Sequence, residues 1–177
     1  MTPKEIAREA CKIEIEKCKK LIGMQDQYAT AYGGLNRFEF YKNNVIRKKI
    51  NLNTNMLNNF NDYLHLFYTG INRQAHKILL NVKKSGNQFV NYEKLSLLAK
   101  DFENELLSNN FDNCGKILHE NWILKKKSDQ SVSSLNLDQI YETALSSGAI
   151  GGKLLGAGGG GYFLFVANPK NKKKLIK

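Results

Sequence analysis

Residues 148–165 read GAIGGKLLGAGGGGYFLF, and this one segment holds more than half of the chain's 14 glycines. Glycine has no Cβ, so such a run can take left-handed backbone angles and bring main-chain N–H groups to contact distance of a ligand. Amides turned to one side bind anions without any side chain, so the chemistry open to this segment is phosphate recognition. Two common phosphate loops are excluded. The string from Gly156 to Gly161 satisfies GxGxxG, but the dinucleotide fingerprint needs a strand before the glycines and a helix after them. Here a helical pattern (Leu137, Ile140, Tyr141, Ala144, Leu145) precedes, and an apolar run from Tyr162 to Val166 follows. Gly152-Lys153 does not open a nucleotide P-loop either, because Leu154 stands where a Ser or Thr must hold Mg²⁺. The plain alternative is a tight turn with no ligand, against which the density of glycine counts, since each one costs folding entropy.

Other side chains narrow the chemistry by what they lack. Cys11, Cys18 and Cys114 contain no CxxC pair, and the first two fall on one predicted helix, so reduced structural thiols are expected. His65, His76 and His119 show no metal-ligand spacing, and no zinc site is expected. The formal net charge of +11 raises nucleic acid or an anionic substrate as partners. The positive charge is nearly all lysine, with only Arg8, Arg37, Arg47 and Arg73 as arginines, and it is spread among many asparagines. That pattern reads as a compositional bias rather than a nucleic-acid face. Neither a secretory leader nor a run of ~20 apolar residues is visible, so a cytoplasmic location and no membrane partner are expected.

The elements that must position these groups are legible from periodicity. With 42% hydrophobic residues, the 177-residue chain can bury a core. Thr2, Pro3 and Glu5 form a capping-box pattern for a helix running to about Lys20. Phe38-Glu39-Phe40 and residues 45–52 are strand candidates, joined as a hairpin at Asn43-Asn44. Residues 53–62 are asparagine-rich and read as a linker or long turn. A strand over 63–68 is followed by helices near 74–82, 92–107 and 111–126, a Ser-rich loop over 128–134, a helix over 137–146, the glycine segment and a last strand. The fold class is α+β, with helices packed on a mainly antiparallel sheet.

Four segments in order resemble a known family. Lys153-Leu154-Leu155-Gly156-Ala157-Gly158-Gly159-Gly160-Gly161 is similar to the third motif of the GHMP small-molecule kinases, and residues 22–36, IGMQDQYATAYGGLN, are similar to that family's acidic catalytic segment. Residues 67–73, FYTGINR, and 118–125, LHENWILK, resemble the branch that phosphorylates heptose 7-phosphate in bacterial surface-polysaccharide pathways. The resemblance implies a ferredoxin-like C-terminal domain over residues 54–177, preceded at 1–53 by the end of an N-terminal kinase domain. The family's Gly-Ser phosphate loop, PxxxGLGSSA, has no counterpart in these residues. The chain thus reads as the C-terminal portion of such a kinase, expected to be inactive alone, with the preceding half as a partner chain if it is encoded separately.

The resemblance also implies ATP and Mg²⁺ as cofactors, a sugar phosphate as substrate, and roles for individual residues. Phosphoryl transfer rests on positioning and charge neutralisation, with an acid beside the attacking hydroxyl. Asp26 is the implied acid, and its bland alternative is a helix cap. Gln25 and Gln27 flank it as candidates for sugar hydroxyls or as exposed polar filler. Tyr28 and Tyr32, at i and i+4, read as core packing. Gly156, Ala157, Gly158, Gly159, Gly160 and Gly161 are implied to lie near the transferring phosphate, and Lys153 offers a point charge there or is simply solvated. Arg73, His119, Lys125 and Lys126 are the basic candidates for a second phosphate, while Trp122 reads as core. Two other readings stay open: a non-catalytic remnant that binds a sugar phosphate or partner chain, and a basic nucleic-acid module.

Overall fold

A computed structural model describes residues 1–72 and 88–176, with side chains described outside 88–92. The helix expected near 74–82, and Arg73 with it, lies outside the described residues. Two compact units emerge, Met1–Asn51 and Leu52–Lys177. Among the described residues, no helix is long and apolar enough to cross a membrane.

The first unit opens with α1 (Pro3–Cys11), whose Thr2 hydroxyl accepts from the Glu5 N–H while Glu5 accepts from the Thr2 N–H. The Thr2 N–H, and then the Thr2 side chain, hold the Glu5 carboxyl below the usual carboxylate range. The helix then widens into a π-helical turn, Lys12–Lys17. After α2 (Gln25–Tyr32), strands β1 (Asn36–Phe40) and β2 (Val45–Lys49) pair antiparallel with Phe40 opposite Val45, so the hairpin turns at the expected asparagines. Ala7, Cys11 and Tyr28 are buried together, and the Tyr28 ring meets Phe38 and Phe40 edge-on at 5.8 and 5.6 Å. Tyr28 is therefore a core residue of this unit, and the half-buried Tyr32 packs against it. Apolar faces at i and i+4 spacing give the two helices their common side, and the hairpin's aromatics close it.

The second unit departs from expectation at its start. Residues 53–62 form not a linker but most of α3 (Thr54–Tyr63), capped by the Asn53 side chain accepting from the Met56 N–H. Asparagine is a poor helix former, but Phe60 overrides it: its ring is buried against Phe111 and Phe102, at 5.4 and 6.3 Å. Strand β3 (Leu64–Tyr68) follows directly, then α4 (Gln88–Leu107), α5 (Phe111–Lys126), a 3-10 turn at Gln130–Val132 and α6 (Leu135–Ser146). The Ser134 hydroxyl caps α6 by accepting from the Leu137 N–H.

A strand unmarked in the sequence precedes the glycine loop. β4 (Ala149–Leu154) and β5 (Tyr162–Ala167) are antiparallel, and the described sheet has the order β3-β5-β4. Glycines are weak strand formers, yet Gly151 and Gly152 are needed in β4. A Cβ on Gly151 would stand 2.2 Å from the Gly115 carbonyl oxygen of α5, and one on Gly152 would stand 2.4 Å from the Leu164 carbonyl oxygen of β5. Gly115 completes the close approach, since its own Cβ would lie 3.0 Å from Ile150 Cβ. Over this sheet the core gathers Trp122, Leu137, Tyr141, Leu154, Phe163 and Phe165. Its rings interlock, with Trp122 and Phe163 perpendicular at 5.6 Å. Short 3-10 and α7 (Lys172–Leu175) turns end the chain.

His65, on β3 opposite Phe165, is 7% exposed, and its Nε2 is buried without a hydrogen bond among the described residues. Burial, with a smaller contribution from Lys172, holds its pKa below the ordinary 6.5. In the window between that lowered value and 6.5 the unfolded chain binds more protons than the folded one, so stability rises with pH there and falls as pH drops through 6.5. Denaturant unfolding followed by the single tryptophan, Trp122, is expected to show weaker stability at pH 5.5 than at 7.5, with His65→Gln reducing the difference. An equal difference in both proteins contradicts this assignment.

Candidate active site

The acidic segment sits on α2. Met24 is the N-cap residue, no side chain caps the helix, and Asp26 stands in the first turn, exposed and without a hydrogen bond or ion pair among the described residues. Its carboxylate there gains only the macrodipole's favour, about 0.3–1 kcal/mol. Gln27 is not exposed filler. It is 9% exposed and donates Nε2–H to Glu14 of the π-helical turn, which also accepts from Lys20 at 3.0 Å. The bonds from Lys20 and Gln27 keep the Glu14 carboxyl below the usual range. The Gln27 carbonyl oxygen is buried with no partner among the described residues. Gln25 is exposed beside Asp26. Asp26 thus presents a free carboxylate from a helix whose next residue is fixed from behind.

The glycine loop in the second unit is anchored strand by strand. The Leu155 N–H donates to Tyr162 O at 2.9 Å, continuing the β4–β5 pairing. The Gly159 N–H donates to Val132 O at 2.8 Å, and the Gly161 N–H to Ile71 O at 3.0 Å. Thr69 grips the loop's end, its N–H and hydroxyl both donating to Gly161 O. The N–H groups of Gly156 and Ala157 make no hydrogen bond among the described residues. Gly156, Gly158, Gly159, Gly160 and Gly161 all hold positive φ, from +69° to +147°, the region that L side chains avoid. The glycine density therefore answers to backbone conformation and close approach.

Each basic candidate among the described residues of this unit has a definite place. The Lys125 ammonium, on α5, donates to Leu154 O at 3.3 Å and to Gly156 O. Lys126 pairs with Asp138 at 3.0 Å and lies 5.8 Å from the Trp122 ring. His119 Nδ1 lies 2.8 Å from the Tyr141 hydroxyl, which itself donates to Gly152 O at 3.1 Å. Tyr141 has one proton and burial keeps it bound by raising the phenol's pKa, so the His119 Nδ1–H is the donor and Nε2 faces away from that contact. Lys153 is half-buried on β4, its ammonium makes no hydrogen bond or ion pair among the described residues, and burial lowers that ammonium below the usual lysine range. Trp122 is wholly buried, in the core. The structure thus gathers Lys125, Lys153 and the loop at one end of β4, while Lys126 is drawn to α6. Val132, Ile71, Thr69 and Tyr141 were not visible as site residues, because their contribution is a carbonyl or hydroxyl supplied across long sequence separation.

The second unit is thus a helix-backed antiparallel sheet with a glycine loop between its β4 and β5 strands. Residues 98–177 match the family model described as GHMP kinases C terminal, and these residues have the helix and antiparallel-sheet fold of that domain's neighbours. Over 98% of its length the chain is 33% identical to a D-glycero-alpha-D-manno-heptose 7-phosphate kinase of Campylobacter jejuni, of which it spans 52%. Among solved structures it superposes on a putative sugar kinase from Campylobacter jejuni with TM-score 0.69 at 31% identity, covering 99% of this chain and 51% of that one. A D-glycero-D-manno-heptose 1-phosphate kinase from Bacteroides thetaiotaomicron gives TM-score 0.68 at 26% identity, covering 99% and 48%. The chain thus spans about half the length of these relatives.

Proposed function

We propose that these residues form part of an ATP-dependent sugar-phosphate kinase that phosphorylates the anomeric hydroxyl of a heptose 7-phosphate, in the supply of sugars for surface polysaccharide. The observation that carries this reading is the similarity to the Campylobacter heptose 7-phosphate kinase, which runs through both the Asp26 segment and the glycine loop. Asp26 orients the sugar hydroxyl and takes its proton as the oxygen attacks the γ-phosphorus. The new O–P bond forms as the bond to the β-phosphate oxygen breaks, and ADP leaves. An anomeric hydroxyl is more acidic than an ordinary alcohol, so orientation carries much of the work. Gln25 is assigned to sugar hydroxyls, Gln27 to fixing the Asp26 turn, and Arg73 and His119 to the distal phosphate. The glycine loop is assigned to phosphate binding through its main-chain N–H groups.

Mg²⁺ bound with ATP would neutralise charge on the phosphates. An ion of this kind is held by one or two carboxylates together with the nucleotide's own phosphates. The 177 residues carry no Gly-Ser phosphate loop. Incubated alone with ATP, Mg²⁺ and a panel of sugars and sugar phosphates, they are expected to give no turnover. Fused behind the preceding half of the Campylobacter relative, they are expected to phosphorylate heptose 7-phosphate. Turnover by the 177 residues alone overturns the dependence on that loop, and a folded but inactive fusion overturns the kinase assignment.

A further inference from the structure

We propose that Lys125 is the positioning residue of the glycine loop, holding it in the shape in which its first amides receive a phosphate-bearing ligand. The proposal rests on the kinase reading above and adds a residue to it. Lys125 lies in the last turn of α5, where a cation is favoured by the unpaired carbonyls of a helix end. Its ammonium reaches out of that turn to two carbonyl oxygens that flank Leu155, those of Leu154 and Gly156. A peptide plane fixes the next N–H opposite to its carbonyl, because the C–N bond does not rotate. Drawing the Gly156 carbonyl toward Lys125 therefore turns the Ala157 N–H away from it.

The remaining anchors set some of the loop's amides apart from others. Leu155, Gly159 and Gly161 spend their N–H groups on Tyr162 O, Val132 O and Ile71 O, so they hold the loop and are not offered to a ligand. Gly156 and Ala157 keep theirs unpaired among the described residues, on an exposed and a half-exposed residue respectively. A pair of successive free amides next to a residue of positive φ is the geometry in which backbone binds anions. Lys125 contributes twice, by fixing the carbonyls and by placing a positive charge behind the amides. Its neighbour Lys126 cannot substitute, being paired with Asp138.

The test is a titration of the 177-residue chain with inorganic pyrophosphate, followed by the amide resonances of Gly156 and Ala157, for the wild type, Lys125→Met and Lys125→Arg. Pyrophosphate is expected to shift these two amides more than those of Gly159 and Gly161. Lys125→Met keeps the stem and removes the charge, and is expected to weaken binding about tenfold, the scale of one charge-assisted contact. Lys125→Arg is expected to restore affinity to within about threefold of wild type. Melting is followed in parallel by Trp122 fluorescence. Wild-type affinity in Lys125→Met, or no shift of the two amides in the wild type, overturns the proposal while leaving the kinase reading to the fusion's own assay. A fall in melting temperature with unchanged affinity assigns Lys125 to the helix end alone and also overturns it. Where Lys125→Met does not fold, the arginine variant decides: folded and weakly binding, it overturns the proposal, and folded with affinity near wild type, it supports it.

Discussion

Asp26→Asn, introduced into the active fusion, is expected to lower kcat on the order of 10²-fold or more, the scale of a positioned acid–base group, with little change in KM. The structure sharpens this expectation, because Asp26 is exposed, is not the N-cap and holds no hydrogen bond among the described residues. Asparagine matches its shape, and the lost macrodipole favour is at most about 1 kcal/mol. The melting temperature should therefore barely move. A variant that loses stability and keeps the specific activity of its folded fraction would return Asp26 to a structural role.

The second large effect is expected at the glycines. A side chain at Gly160 meets two obstacles: φ of +147°, and an Ile71 carbonyl oxygen 2.5 Å from the new Cβ. At Gly158, φ is +111° and the Val132 backbone stands 3.0 Å away. Valine at either position should unseat the loop from Ile71 or Val132, so affinity and stability fall together. At Gly151 the new Cβ would lie 2.2 Å from the backbone of α5. Gly151→Ala is expected to cost about 1–3 kcal/mol, the range for overpacking a tight site, with no direct reach to the loop. Chemical unfolding monitored at Trp122 measures all three. A fully stable Gly151→Ala protein would contradict the close packing of α5 on β4.

How far the sequence disclosed this arrangement depended on whether local pattern and tertiary demand agreed. The capping box at Thr2, the hairpin around Asn43-Asn44 and the helix Phe111–Lys126 are all local signals, and the structure realises them. β4 escaped notice because its two glycines answer to the nearness of α5 and β5, which no local propensity encodes. Helix α3 escaped for the opposite reason: asparagines mask a spacing of Met56, Phe60 and Tyr63 that, read alone, is helical. At the site, glycine density marked the loop, whereas its anchors at Val132 and Ile71 are backbone carbonyls that no residue type announces. Asp26 was legible only through resemblance, since an acid at a helix start is ordinary. Lys125 and Lys126 are adjacent and alike in sequence, but α5 sends one to the loop and the other to Asp138.

The most direct measurement is phosphorus NMR of heptose 7-phosphate incubated with ATP, Mg²⁺ and the fusion protein. An ATP-dependent resonance coupled to the anomeric proton, formed in step with ADP and lost in the Asp26→Asn variant, is the result expected. A folded fusion that leaves the anomeric position unphosphorylated, or an Asp26→Asn fusion that forms the same product at the same rate, would contradict the account.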